Sequence, residues 1–153
     1  MKTYIFKHSL LGVILGLSIL GCTEGDKFDY NKNMAFITGT ETTPVTKFVV
    51  EDTPSSYAVT ASTTDKVDKD VNVKFAIDRS LVETYNNEHN TKYYAIPEGA
   101  VTLEDADAVI QTGKAFSTPA TVKVISTEDF AEGRVYVVPV TMVEVDGLEI
   151  LKP

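Results

Sequence analysis

The chain is 153 residues long, with 22 acidic and 14 basic side chains and a formal net charge of −8. Such a surface repels nucleic-acid phosphates and anionic headgroups, and no basic stretch carries interleaved aromatics, so DNA or RNA is not an expected partner. The cysteine count is one, Cys22. That excludes a disulfide within the chain and leaves the fold to rest on a core that one domain of this length can build.

The chain opens MKTYIFKHSL, with Lys2 and Lys7 as a short positive region, and Ser9 to Leu20 follow without a charge. That apolar run has the length of a secretory signal and falls short of the roughly 20 residues a spanning helix needs. It ends Ile19-Leu20-Gly21-Cys22, which resembles the bacterial lipobox. The resemblance implies cleavage after the small Gly21 and acylation of the Cys22 thiol. The competing reading, a short transmembrane anchor with an incidental cysteine, explains neither the length of the run nor the cysteine's position. Each buried methylene contributes about 0.8 kcal/mol, and one acyl chain alone anchors only marginally. The three chains implied by the lipobox would hold the protein firmly. The expected organisation is therefore a lipoprotein signal peptide over 1–21, a lipidated cysteine and flexible tether over 22–33, and a folded domain over 34–153. The tether, TEGDKFDYNKN after Cys22, is polar and acidic. Acidic residues directly after the lipid cysteine also resemble the surface-export signal of Bacteroidetes lipoproteins, which implies the outer face of the outer membrane.

From Met34 onward the pattern is β. KFVVED (47–52) reads as a short strand, and SYAVTAST (56–63) places Tyr57, Val59 and Ala61 on one face. In VNVKFAID (71–78), Val71, Val73, Phe75 and Ile77 share a face opposite Asn72, Lys74 and Asp78. RSLVETYNNEHNT (79–91) breaks the alternation. Leu81, Val82 and Tyr85 have helical spacing and Ser80-x-x-Glu83 is a capping box, so a short helix ending by Asn86-Asn87 is predicted. GAVTL, AVIQT and TVKVIS are further short strands. RVYVVPVTMVEV (134–145) is a long one, with Tyr136, Val138, Val140 and Met142 as its buried face. Pro139 cannot donate to a ladder, so that strand is an edge or carries a bulge there. Six to eight short strands separated by turns predict an all-β fold, an immunoglobulin-like β-sandwich with one short helix or helical turn.

Within AIDRSLVETYNNEHNTKYYAIPEGAVTL (76–103), a strand ends in Asp78, followed by Tyr85-Asn86, then Tyr94 and Pro97-Glu98-Gly99 before the next strand. This pattern resembles the domain of unknown function 1735 family. RVYVVPVTM (134–142) resembles that family's later strand, and TGKAFSTPATVKV (112–124) the hairpin before it. The resemblance covers roughly 34–150. It implies a β-sandwich near the N-terminus of a Bacteroidetes surface lipoprotein, often preceding a glycosidase or lectin-like module of a polysaccharide-utilisation system. The family pattern usually continues past a segment like DGLEILKP into a final strand. A domain lacking that strand would expose an open sheet edge, which a protein partner could complete.

Chemistry-bearing motifs are few. DKVDKDVN (65–72) nearly matches the D-x-x-D-x-D-x-E signature of family-18 chitinases, but Asn72 stands where the general acid belongs. An amide cannot protonate a leaving group, and the chain is too short for the (β/α)₈ barrel that carries that motif. His89 has no cysteine or second histidine near it to build a zinc site, and Glu104, Asp105 and Asp107 in LEDADAV match no calcium-loop spacing. No nucleophile elbow or phosphate loop is present. Neither a cofactor, a metal nor catalysis is expected. Sugars stack on flat rings, and there is no tryptophan. Tyr93 and Tyr94 are adjacent and face opposite ways in an extended segment, so the exposed member of the pair is the candidate ligand contact. The expectation is a non-catalytic, lipid-anchored surface module for glycan binding or spacing, with a polysaccharide or a protein as partner. The alternatives are an interaction protein that pairs an open sheet edge, and the N-terminal part of a larger glycan-active lipoprotein.

Overall fold

A computed structural model describes residues 32–151. Gly21, Cys22, the expected signal peptide and nearly all of the expected tether lie outside the described residues. None of the described helices is long and apolar enough to cross a membrane. The described chain is mostly strand: β1 (Met34–Ile37), β2 (Ser55–Val59), β3 (Ala61–Thr63) and β4 (Val71–Ile77) precede the helix α1 (Leu81–His89). Then come β5 (Tyr93–Ala95), a 3-10 turn (Glu98–Ala100), β6 (Val101–Glu104), β7 (Asp107–Ile110) and β8 (Ala120–Val124). β9 (Val135–Val137), β10 (Val140–Val145) and β11 (Glu149–Ile150) complete the order.

The strands form an all-β sandwich. One layer joins β11-β1-β3 to β10-β4-β7. The join is the segment around Phe116 and Ser117, which bridges Ser62 on one side and Ile110 on the other. Ser117 holds it: its N–H donates to Ala61 O at 2.9 Å, and its Oγ accepts from Ala61 N at 2.9 Å. The other layer is the antiparallel sheet β2-β8-β6. Both layers contribute to one core: Val71, Val73, Phe75, Ala108 and Ile110 from the first, and Val59, Val101, Ala120, Val122 and Val124 from the second. β4 alternates as its sequence demands, with Val71, Val73 and Phe75 buried and Asn72 and Lys74 exposed.

Four local expectations are corrected. SYAVTAST is two strands, because the chain leaves one layer after Val59 and enters the other at Ala61. Tyr57 consequently sits at the margin of its sheet, 39% exposed, against Phe48 rather than in the core with Val59 and Ala61. KFVVED forms no strand. Ser80 does not cap through Glu83. It already has helical dihedrals (φ −66°, ψ −25°), and its N–H and Oγ both donate to Asp78 Oδ1, at 3.0 and 2.6 Å. The helix also runs on to His89. It ends where Asn90 turns left-handed (φ 51°) and donates its N–H to Asn86 O. The run RVYVVPVTMVEV is divided around Pro139 rather than bulged there: β9 stops at Val137 and β10 begins at Val140, with Pro139 O accepting from Asp78 N. β10 ends its sheet and carries a bulge between Met142 and Glu144.

The acidic run before β4 is a structural loop. Val67 is buried, and the Asp70 carboxylate accepts from Thr112 N and Thr112 Oγ1, both at 2.8 Å. The backbone N–H, then the hydroxyl, stabilise the charged form and hold the Asp70 carboxyl below its usual value of 3.8. A depressed folded-state pKa contributes stability above the unfolded value, and this is lost as pH falls through the folded one. The stability difference between wild type and Asp70→Asn is therefore expected to be largest near neutral pH. It should shrink below about pH 4, which thermal melts across pH 2–7 would check. A constant difference down to the acid end would contradict the assignment.

Candidate functional site

β5 carries the two tyrosines singled out by the sequence, and it is held on both edges. One edge pairs in parallel with β9, in the register Tyr93↔Val135, Tyr94↔Tyr136 and Ala95↔Val137. The other edge meets a side chain instead of a strand. Asn86 Nδ2 donates to Tyr93 O at 2.9 Å, and Asn86 Oδ1 accepts from Tyr93 N at 2.9 Å and Thr91 Oγ1 at 2.7 Å. The amide of Asn86 thus imitates a neighbouring peptide group. This gives a physical reason for the Tyr85-Asn86 pair to stand beside a strand carrying tyrosines.

Because side chains alternate along a strand, the adjacent tyrosines serve two different groups. Tyr93 is half-buried and stacks on Tyr85 at 6.0 Å between ring centroids, and Tyr85 stacks on His89 at 4.2 Å. Here the helix packs onto the strand, and His89 stacks its ring on a tyrosine. Tyr94 is 41% exposed and belongs to the other group. Its cross-strand neighbour Tyr136 is tilted against it at 6.1 Å and stacks on Phe130 at 4.4 Å. The guanidinium of Arg134 lies over the Tyr94 ring, 4.5 Å from its centroid. Ala131 N donates to the Tyr136 hydroxyl at 3.0 Å, which pins the loop that carries Phe130 and Arg134. The result is an accessible tyrosine ring backed by two further rings and one cation, on a short ribbon fixed from both edges.

Of the candidate pair Tyr93 and Tyr94 the exposed member is Tyr94, whereas Phe130 and Arg134 were not anticipated and Tyr136 was expected in the core. Tyr136 is half-buried and forms part of the platform. Its position depends on the parallel pairing of β5 with β9, which no local periodicity records. The remaining candidates go elsewhere. Glu104 and Asp105 lie where the chain passes from β6 to β7, with Asp105 at φ 52°. Glu104 pairs with Lys123 at 3.2 Å and Asp107 sits 4.0 Å from Lys74. Among the described residues no group of three or more histidine, cysteine or acidic side chains is placed to hold a metal. Of DKVDKDVN, residues 65–69 and Val71 line a groove of about 480 Å³ together with Asp146, Gly147 and Leu148. Lys66, Asp68 and Lys69 give that groove mixed charge, and no aromatic ring lines it.

A family model describing an N-terminal domain matches residues 30–149. No curated protein matches the chain. Among solved structures it is similar to a Bacteroides ovatus protein proposed to bind carbohydrate. That likeness has a TM-score of 0.61 and 20% identity, covering 68% of this chain and 30% of that one. A second Bacteroides ovatus protein, of unknown function, aligns with a TM-score of 0.55 and 13% identity, over 72% of this chain and 40% of that one. A multidomain Bacteroides ovatus protein that includes a domain of unknown function 1735 aligns with a TM-score of 0.54 and 13% identity, over 76% and 43%. At these identities the likeness is one of fold, and this chain spans well under half the length of each of the three.

Proposed function

The chain belongs to the domain of unknown function 1735 family, and from that premise we propose that it is a non-catalytic, lipid-anchored module of the outer-membrane surface that binds glycan for a polysaccharide-utilisation system. The observation that carries the reading is the exposed Tyr94 ring with Tyr136 and Arg134 against it and Phe130 stacked on Tyr136. A flat ring offers the CH face of a sugar a stacking surface, and a guanidinium beside it supplies donors to hydroxyls. The fold shared with a Bacteroides protein proposed to bind carbohydrate supports the same reading. The anchor at Cys22 rests on the lipobox, and the immunoglobulin-like type of the sandwich on its two layers of short strands. Edge pairing with a protein partner is less favoured, because the bulge in β10 is a device that discourages strand addition.

The test is retention of the purified full-length chain on a panel of polysaccharides, followed by calorimetry on those that bind. One glycan class is expected to bind. Tyr94→Ala is expected to weaken that binding about tenfold or more, the scale of losing a contact that matters at an interface. A cooperatively melting chain that no polysaccharide retains would overturn the reading and leave a spacer.

A further inference from the structure

We propose that the Tyr94 platform takes an anionic sugar, a uronate, and that Arg134 reads its carboxylate. This rests on the glycan-binding reading above and narrows its ligand class. The chain has two arginines, Arg79 and Arg134. Arg79 is committed to the fold, its Nε donating to Ile96 O at 3.1 Å. Arg134 is not. Among the described residues its side chain has neither an ion pair nor a hydrogen-bond acceptor, and it lies over the Tyr94 ring.

Contact with a ring face consumes none of the five N–H donors of a guanidinium, so the whole fork stays available to a ligand on that ring. The backbone that carries Arg134 is also held in place. Ala131 N donates to the Tyr136 hydroxyl at 3.0 Å, Arg134 N donates to Ala131 O at 3.4 Å, and Gly133 provides the left-handed turn between them (φ 75°). A guanidinium on a pinned turn and resting on a ring loses less freedom on binding than one on a mobile loop. A sugar hydroxyl could use one of its donors. A carboxylate matches two in parallel and adds charge, which is what distinguishes arginine from lysine as a reader of planar anions. The chain's net charge of −8 opposes a polyanion in general. Attraction is thus confined to the surroundings of Arg134, and affinity should depend sharply on that one residue.

The experiment uses the full-length chain and two polymers with the same backbone, polygalacturonate and its highly methyl-esterified form, in calorimetry beside a panel of neutral glycans. The acid form is expected to bind about tenfold more tightly than the ester, the scale of a hydrogen bond to a charged group. Arg134→Gln is expected to erase that preference while its thermal melt stays cooperative. Arg134→Lys should restore only part of the preference, since it keeps the charge and loses the fork. Equal binding of acid and ester, a preference that survives Arg134→Gln, or binding of neutral glycans alone overturns the uronate inference and leaves the glycan reading standing. If a folded wild-type chain binds neither polymer and nothing in the neutral panel, both fall.

Discussion

Phe75→Ala is expected to lower the unfolding free energy by about 3–5 kcal/mol, the cost of emptying a large aromatic site in a packed core. Phe75 is 2% exposed and among the largest of the fully buried side chains. It stands on β4, which is hydrogen-bonded to β10 on one edge and to β7 on the other, with Phe75 opposite Met142 in the register. A cavity there is walled by three strands and by the facing sheet, so collapse around it is restricted. The melting temperature should fall by roughly 10–20 °C. Lys74→Ala, one position away, is the internal control. Its side chain is 54% exposed, and its 4.0 Å pair with Asp107 lies in solvent, so a change of no more than about 0.5 kcal/mol is expected. A loss below about 1 kcal/mol for Phe75→Ala in denaturant titration would mean that β4 is not the centre of the core.

Asn86→Ala is expected to cost about 2–3 kcal/mol, from three side-chain hydrogen bonds of roughly 1 kcal/mol each in a part-buried setting. Two of the three go to the backbone of Tyr93, so the loss falls on the strand that carries Tyr94. Glycan affinity should drop along with stability, although Asn86 belongs to the edge opposite β9. Asn86→Asp separates the contributions. It retains the acceptor for Tyr93 N and Thr91 Oγ1 and loses the donor to Tyr93 O, so its stability should lie between wild type and Asn86→Ala. A near-neutral Asn86→Ala would show that β5 is held by β9 alone.

How much of this was readable beforehand depends on the range of the interaction. β4 was legible because its alternation, Val71-x-Val73-x-Phe75, is set by burial on one face. The edge position of the strand after Pro139 was legible because a proline lacks the N–H a ladder needs. The crossing at Thr60 was not legible. Alternation continues through Val59 and Ala61 while the chain changes layers, since both sheets face the same core. The helix was recognisable from Leu81, Val82 and Tyr85 and starts after Ser80 as expected, but the capping interaction was misread. Asp78, two residues earlier, accepts the hydrogen bonds of Ser80, and a capping box fits that sequence equally well. Of the candidate site, the opposed faces of Tyr93 and Tyr94 followed from strand geometry alone. Phe130, Arg134 and Tyr136 reach Tyr94 only through parallel pairing of β5 with β9, and parallel strands carry no hairpin turn to announce them. The Tyr85-Asn86 motif was visible as a resemblance, and its reason emerged only with the Asn86 amide seen against Tyr93.

The central claim is that glycan is bound at the Tyr94 platform of the β5–β9 ribbon. The most direct test is a nuclear magnetic resonance titration of the ¹⁵N-labelled full-length chain with soluble fragments of whichever polysaccharide retains it. Shift changes are expected to concentrate at Tyr94, Ala131, Arg134 and Tyr136. Changes concentrated instead at the groove of Lys66, Asp68 and Lys69, or no changes at saturating fragment, would contradict it.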